Sequence, residues 1–521
     1  MKKFLAMILT LALCLSMLIT PACAESELKI YLFGEAQNMD KVLDKFYAES
    51  GLDVKLNIIW NTGADHREKL PLLIGNEEPC DLVFDAYWMN LATMIKQDMY
   101  ADLSSYFNND EYPGLKAAFS ESYLAQVTED DGAIYAIPFT QAANDIQCIF
   151  YRADLAEKYG ITVDSTESLE AFFKAVKENE KDMIAPFGVG GSRAMYYLDL
   201  DILEKKQANV FEISGTGTAV GMEFEVAISE DGKTVLGAGT VGAPDEYYAA
   251  FPAPYNTNTR SARVINDLTK WAQYSQPNSV SEEDVANNLF YTGLVAAMES
   301  NISGYENAKR EVEKLEGAKL GMFVYNDGLR SMTPGYYVTS GQTAWNFLCV
   351  PYYSKNVDAA MKFIDWIFQS KENHDLFELG IAGEDFELNE NGEYTKLTPA
   401  NLYTFPGYEM TWNPNFIRTN AALDEDVKAL VNYMNDPTSY TSSVMDGFVF
   451  DNQATPELVN AYAAVSAIQS EYIRPLMHGA YGADAEAKLQ EYWTKASAAG
   501  IDVIRQAVID QLQAFLDAKN K

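Results

Sequence analysis

Asp85, Tyr87 and Trp88 follow directly on the run DLVF (81–84). A short, continuous apolar run of this kind predicts a buried parallel strand. Ligands of open α/β sheets bind at the carboxyl ends of strands, so these three side chains are expected at a binding edge. The indole of Trp88 offers a flat face to a pyranose ring. Asp85 can accept two hydroxyl hydrogen bonds, each strengthened by its charge. Trp412, beside Asn413 in YEMTWNPN (408–415), is the expected facing wall from a second lobe. Glu35 and Gln37, just after the first strand, are further candidates. Asn301 in ESNISGY (299–305), with Tyr336 and Tyr337 in MTPGYYV (332–338), completes the set. A packing role competes at each aromatic, because aromatics also fill cores.

Other chemistries find less support. His66, His374 and His478 are scattered, with no metal-ligand spacing and no triad arrangement, so neither a metal nor a cofactor is expected. GTGTAVG (215–221) is glycine-rich but lacks the Lys-Ser/Thr of a phosphate loop. Carboxylates are abundant, which leaves a secreted glycoside hydrolase with paired carboxylates as an alternative.

The elements that must position these groups follow from periodicity. LKIYLF (28–33), DVKLNIIW (53–60) and the start of DLVFDAYW (81–88) read as strands. MDKVLDKFYAES (39–50) puts Val42, Leu43, Phe46 and Tyr47 on one helical stripe, closed by Gly51. DHREKLPLLIG (65–75) reads as a helix kinked or shortened by Pro71. This βαβαβ order predicts a parallel sheet with right-handed crossovers. Further on, EVAISEDGKTVLGAG (225–239) predicts a hairpin turning at Asp231-Gly232. SGYE (303–306) predicts a capping box for a helix through Leu315. AAGIDVIRQAVIDQLQAFLDA (498–518) reads as one long amphipathic helix.

Residues 1–24, MKKFLAMILTLALCLSMLITPACA, have the basic, apolar and small-residue order of a secretory signal peptide. Ala22-Cys23-Ala24 predicts cleavage before Glu25. A lipid anchor at Cys23 is the less favoured alternative, because Thr20, Pro21 and Ala22 fit a lipobox poorly. The expected location is therefore outside the cell, or the periplasm where an outer membrane exists. A formal net charge of −36 repels nucleic acid and anionic lipid and argues against both as partners. Cys80, Cys148 and Cys349 are too few and too widely spaced for a disulfide framework.

Several motifs, taken in order, resemble one known family. They are CDLVFDAYW (80–88), YAIPFTQAANDIQCIFYRADLAEKYGI (135–161), LVAAMESN (294–301), SKNVDAAMKFIDWIFQSKENHDLFELGIAGEDFEL (354–388) and GFVFDNQATPELVNAYAAVSAIQSEYIRPLMHG (447–479). Together they resemble an extracellular solute-binding protein of an ATP-binding-cassette importer, of the large sugar-binding type with an extended C-terminal domain. The resemblance implies an α/β, two-lobed periplasmic-binding-protein-like fold of type II, without enzymatic activity. It implies lobe 1 at 25–140 plus about 286–338, and lobe 2 at 141–285 plus about 339–521, including a C-terminal helical extension. PFTQAAND (138–145) would be a hinge strand, with Gln141, Asn144 and Asp145 facing the cleft as ligand contacts, beside a second crossing near Tyr337–Gln342. The implied partners are an oligosaccharide and a transmembrane permease, and the protein itself is expected to be a monomer. A peptide-binding protein of the same fold is a further alternative.

Overall fold

The computed structural model describes residues 26–61, 63–129, 131–141, 146–189, 201–218, 221–281, 285–338 and 344–520. The chain divides into two compact units at Gln141/Ala142, Thr343/Ala344 and Ala421/Ala422. Unit 1 holds the first and third segments, and unit 2 the second and fourth.

Unit 1 is built on a five-stranded sheet. Its β1 (Ser26–Leu32) pairs in parallel with β2 (Val54–Trp60) and with β3 (Leu82–Ala86). The strand Asn346–Cys349 lies antiparallel between β3 and β4 (Ile137–Phe139). Every residue of β3 is buried, as the apolar run predicts for a central strand covered on both faces. The helix Met39–Glu49 turns Val42 and Phe46 inward from the predicted stripe. The Phe46 ring meets Phe363, Trp366 and Phe377 at centroid distances of 5.5, 5.0 and 5.6 Å. The helix Gly63–Gly75 contains Pro71 rather than ending at it.

Unit 2 has a four-stranded sheet. Its β5 (Gln147–Arg152) runs antiparallel to both Leu320–Val324 and Val295–Asn301, and the latter pairs in parallel with β6 (Ala185–Gly188). A three-stranded meander, Val210–Ile213, Phe224–Ile228 and Val235–Gly239, contains the predicted hairpin, with Gly232 at φ 73° in its turn. Helices Pro456–Met477, Ala485–Ala498 and Ile501–Lys519 share a core with this meander, through Val465, Leu489 and Val508. The last helix starts at Ile501 instead of 498, because Gly500 takes φ 100°, a left-handed break that glycine tolerates.

The division differs from the expected lobe boundaries. LVAAMESN, within the 286–338 stretch expected in lobe 1, forms a strand between β5 and β6 of unit 2. Residues 344–421, expected in lobe 2, belong to unit 1. There the strand Asn346–Cys349 fills the place between β3 and β4, and Phe363, Trp366 and Phe377 complete the core around Phe46. LVAAMESN and NFLC (346–349) are short, largely apolar runs, and neither specifies which sheet it will join. The predicted SGYE capping box is also replaced. Asn301 caps a 3-10 turn at Ile302–Gly304 by accepting from the Ser303 N–H at 3.2 Å, and the helix Tyr305–Val312 follows without a side-chain cap. Among the described residues, no helix is long and apolar enough to cross a membrane.

Candidate functional site

Four strands of unit 1 end at one edge of its sheet. β1, β2 and β3 are mutually parallel, and Asn346–Cys349 is antiparallel to both β3 and β4. β4 therefore runs with the first three, and the returning strand begins where they finish. This is also where the chain leaves unit 1 after Gln141 and re-enters it at Ala344. Tryptophan is concentrated here. Trp60 ends β2, Trp88 follows β3, and Trp345 precedes the returning strand. The Trp412 carbonyl accepts the Thr140 N–H, just beyond β4, at 3.1 Å. Trp88 and Trp345 are each 42 % exposed, and Trp60 and Trp412 are half-buried.

Trp88 is mounted by several contacts. Its ring stands edge-on to Phe33 at 5.5 Å, and its Nε1 donates to Asn346 Oδ1 at 3.3 Å. The Arg67 guanidinium donates to its carbonyl, and the Arg67 carbonyl accepts the Asn90 side-chain amide at 3.0 Å. A wall made in this way is preorganised: an aromatic face is left in water while its edge and backbone are fixed.

Two buried carboxylates hold the turns beneath this face. Asp85 is fully buried at the end of β3. Its Oδ1 accepts the Ala86 and Asn90 N–H groups at 2.7 and 3.1 Å, which closes the loop carrying Trp88. Its Oδ2 accepts the Tyr100 hydroxyl at 2.7 Å. Desolvation pushes its carboxyl up to about 6, against the opposing pull of these hydrogen bonds and of Arg67. Glu409 is equally buried. Its Oε2 and Oε1 accept the Phe33 and Gly34 N–H groups at 2.7 and 2.6 Å. Burial raises this carboxyl to about 7, opposed by the same two amides and by Tyr408. A Cβ at position 34 would lie 2.5 Å from Glu409 Oε1, so the absence of a side chain there lets the carboxylate reach both amides.

The predicted site residues therefore separate into groups. Trp88 stands on the exposed edge, with Tyr87 half-buried beside it and edge-on to Phe347 at 4.9 Å. Glu35 and Gln37 are exposed after β1, where the Gln37 backbone pairs with Thr404, and Gln141 is half-buried just after β4. Asp85 is not on the surface: both its oxygens are taken within unit 1, so it supports the face instead of lining it. Trp412, expected as a wall from the second lobe, belongs to unit 1, where it stands edge-on to Tyr408 at 5.9 Å. Tyr336 and Tyr337 are core residues of unit 2. The Tyr336 hydroxyl is bonded to Glu204, and the Tyr337 ring meets Tyr440 edge-on at 5.4 Å. Asn301 is occupied as the cap described above. Asn144, Asp145 and the crossing residues 339–342 lie outside the described residues. Sequence reasoning missed Trp345, Asn346, Arg67 and Glu409. A tryptophan just ahead of the apolar run NFLC was the available signal for Trp345.

Among the described residues, no group of three or more His, Cys, Asp and Glu side chains is arranged to hold a metal ion. A raised carboxyl pKa can mark a general acid. Asp85 and Glu409 are instead closed off, with their oxygens spent on backbone amides and, at Asp85 Oδ2, on the Tyr100 hydroxyl, which is the arrangement of a structural clamp.

Residues 41–382 match the model of the family described as bacterial extracellular solute-binding protein. Residues 444–517 match a domain of unknown function. No curated protein matches at the sequence level. Among solved structures, the chain is similar to the N-glycan transport solute-binding protein NgtS of Streptococcus pneumoniae. The TM-score is 0.68 at 18 % identity, covering 95 % of this chain and 100 % of that one. It is also similar to an HMO-binding, ABC-transporter-associated solute-binding protein of Bifidobacterium longum infantis, with a TM-score of 0.60 at 15 % identity, covering 95 % and 99 %. The alginate-binding protein AlgQ2 gives a TM-score of 0.62 at 15 % identity, covering 95 % and 99 %. These likenesses establish the fold, the α/β periplasmic-binding-protein-like architecture of type II. With the family model spanning most of its length, the chain belongs to the bacterial extracellular solute-binding proteins.

Proposed function

We propose that this protein captures an oligosaccharide outside the cell and delivers it to the transmembrane permease of an ATP-binding-cassette importer. The observation that carries this reading is the unit 1 edge, where Trp88 and Trp345 are each 42 % exposed at strand ends. Exposed indole faces at such an edge suit the C–H faces of sugar rings. Glu35, Gln37 and Gln141 add polar groups for hydroxyls, and Asn144 and Asp145 stay in the proposal as further contacts. NgtS has been solved with Man1GlcNAc and with Man5GlcNAc, which supports a glycan ligand for the shared fold. The net charge of −36 repels polyanions and favours a neutral chain over a uronate such as alginate.

Calorimetric titration of the protein with Man5GlcNAc, other neutral oligosaccharides, alginate oligomers and a peptide library tests the reading. Saturable binding of a neutral glycan is the expected outcome. Binding of peptides alone, or release of reducing sugar from the glycan, overturns it.

A further inference from the structure

We propose that Asp85 and Glu409 are paired positioning residues for the ligand face, each carboxylate clamping two backbone N–H groups of a turn on which that face is mounted, so that proton uptake by either loosens Trp88 and weakens solute binding. This inference rests on the assignment of the tryptophan edge as the binding face.

The geometry has the same form at both places. Asp85 ties Ala86 to Asn90, the two ends of the loop that presents Trp88. Glu409 ties Phe33 to Gly34, and the Phe33 ring is the edge against which Trp88 stands, at 5.5 Å. Phe84 lies between the two turns, with centroids 5.8 Å from Phe33 and 6.2 Å from Trp88. Hydrogen bonds from N–H groups to an ionised carboxylate are roughly twice as strong as neutral ones. Protonation of Glu409 turns one of its two acceptor oxygens into a donor facing an N–H that also donates, so one backbone bond is lost. Protonation of Asp85 at Oδ2, where the Tyr100 hydroxyl can reverse, leaves both backbone bonds on Oδ1 but removes the charge that strengthens them.

The charged neighbours define the titration. Asp85 faces the Tyr100 hydroxyl, the Arg67 guanidinium and the Cys349 thiol. Glu409 faces Tyr408. His66, edge-on to Phe33 at 6.0 Å, has its own pKa pushed down by burial, so it charges only in more acid solution. With carboxyls raised to about 6 and about 7, the clamps change state in the mildly acid range, where ordinary surface carboxylates stay charged.

The test uses the protein with 5-fluorotryptophan in place of tryptophan, with the Trp88 fluorine resonance assigned by Trp88→Phe. Between about pH 8 and about pH 5 this resonance is expected to titrate in two steps, with one step removed by Asp85→Asn and the other by Glu409→Gln. Over the same range the affinity for Man5GlcNAc, or for whichever neutral glycan the calorimetry identifies, falls about tenfold, the equivalent of a shift of one pKa unit between the free and loaded states. A purely structural role would move the melting temperature in the variants and leave the Trp88 resonance level. A level resonance with pH-independent glycan binding overturns the inference and leaves the carbohydrate reading standing. A titration that survives unchanged in both variants belongs to another group and also overturns it. Titration of Trp88 as expected, with no glycan bound at any pH, upholds the positioning role and sinks the carbohydrate reading.

Discussion

Both units gather aromatic residues near the ends of strands, and they use them oppositely. In unit 1, Trp88 and Trp345 stand in water, one just after a strand and the other just before one. In unit 2, Tyr336 and Tyr337 follow Pro334-Gly335 in a segment that also read as a site, and both are buried. Tyr336 closes over Gly328, where a Cβ would lie 2.2 Å from its ring. Tyr337 joins a two-stranded pairing with Tyr440 and Thr441, brought in from about a hundred residues downstream. The unit 1 turns are gripped from beneath by carboxylates, so their aromatic faces are fixed without being covered. A cluster of aromatics becomes a wall or a core according to what covers it, and that covering comes from distant parts of the chain.

The comparison breaks most sharply at Trp271, a buried tryptophan of unit 2 that meets Phe173 edge-on at 5.6 Å. Trp271→Ala is expected to cost about 3–5 kcal/mol of stability. The readout is a large fall in the urea midpoint, with glycan affinity per folded molecule unchanged. A small fall would mean that the ring is not part of a close-packed core.

Next in size is the pH dependence from the two clamps. A carboxyl whose pKa is raised on folding keeps its proton in the folded state after the unfolded chain has lost its own. Stability from this source is fully present below about pH 4, falls as the pH rises towards about 7, and levels off above that. The window follows from shifts of 3.8 to about 6 for Asp85 and 4.5 to about 7 for Glu409. The loss is on the order of a few kcal/mol from each clamp. Urea midpoints at mildly acid and mildly alkaline pH, in wild type, Asp85→Asn and Glu409→Gln, check this, and each substitution is expected to flatten the slope. Stability and binding then run in opposite directions with pH: the charged clamps that serve the face are the ones that burial disfavours.

Trp88→Ala should reverse the Trp271 result. It is expected to weaken glycan binding by about 1–3 kcal/mol, with little change in the unliganded melting temperature. Normal binding by this variant would remove Trp88 from the face. The smallest effect is expected at Tyr336→Phe, which deletes the hydroxyl bonded to Glu204. About 1 kcal/mol of stability should go, with glycan affinity unmoved; a loss of affinity would return Tyr336 to the binding site.

Local order was legible in the residues themselves. The βαβαβ start, the Val42–Phe46 stripe, the Asp231-Gly232 turn and the buried character of DLVF all depend on periodicity or turn chemistry within a few residues, and each stands in the structure. Trp88 was legible for the same reason, since it follows a strand that its own neighbours define. The tertiary structure alone decided which sheet NFLC and LVAAMESN would join, and with that the membership of Trp412 in unit 1 and the place of Trp345. A strand's pattern encodes which face is buried but not which neighbour it takes. The same holds for Glu409. It lies 375 residues from Gly34, and no local pattern distinguishes it among 75 acidic residues. Its role exists once folding has stripped water from the carboxylate and brought two backbone N–H groups to its oxygens.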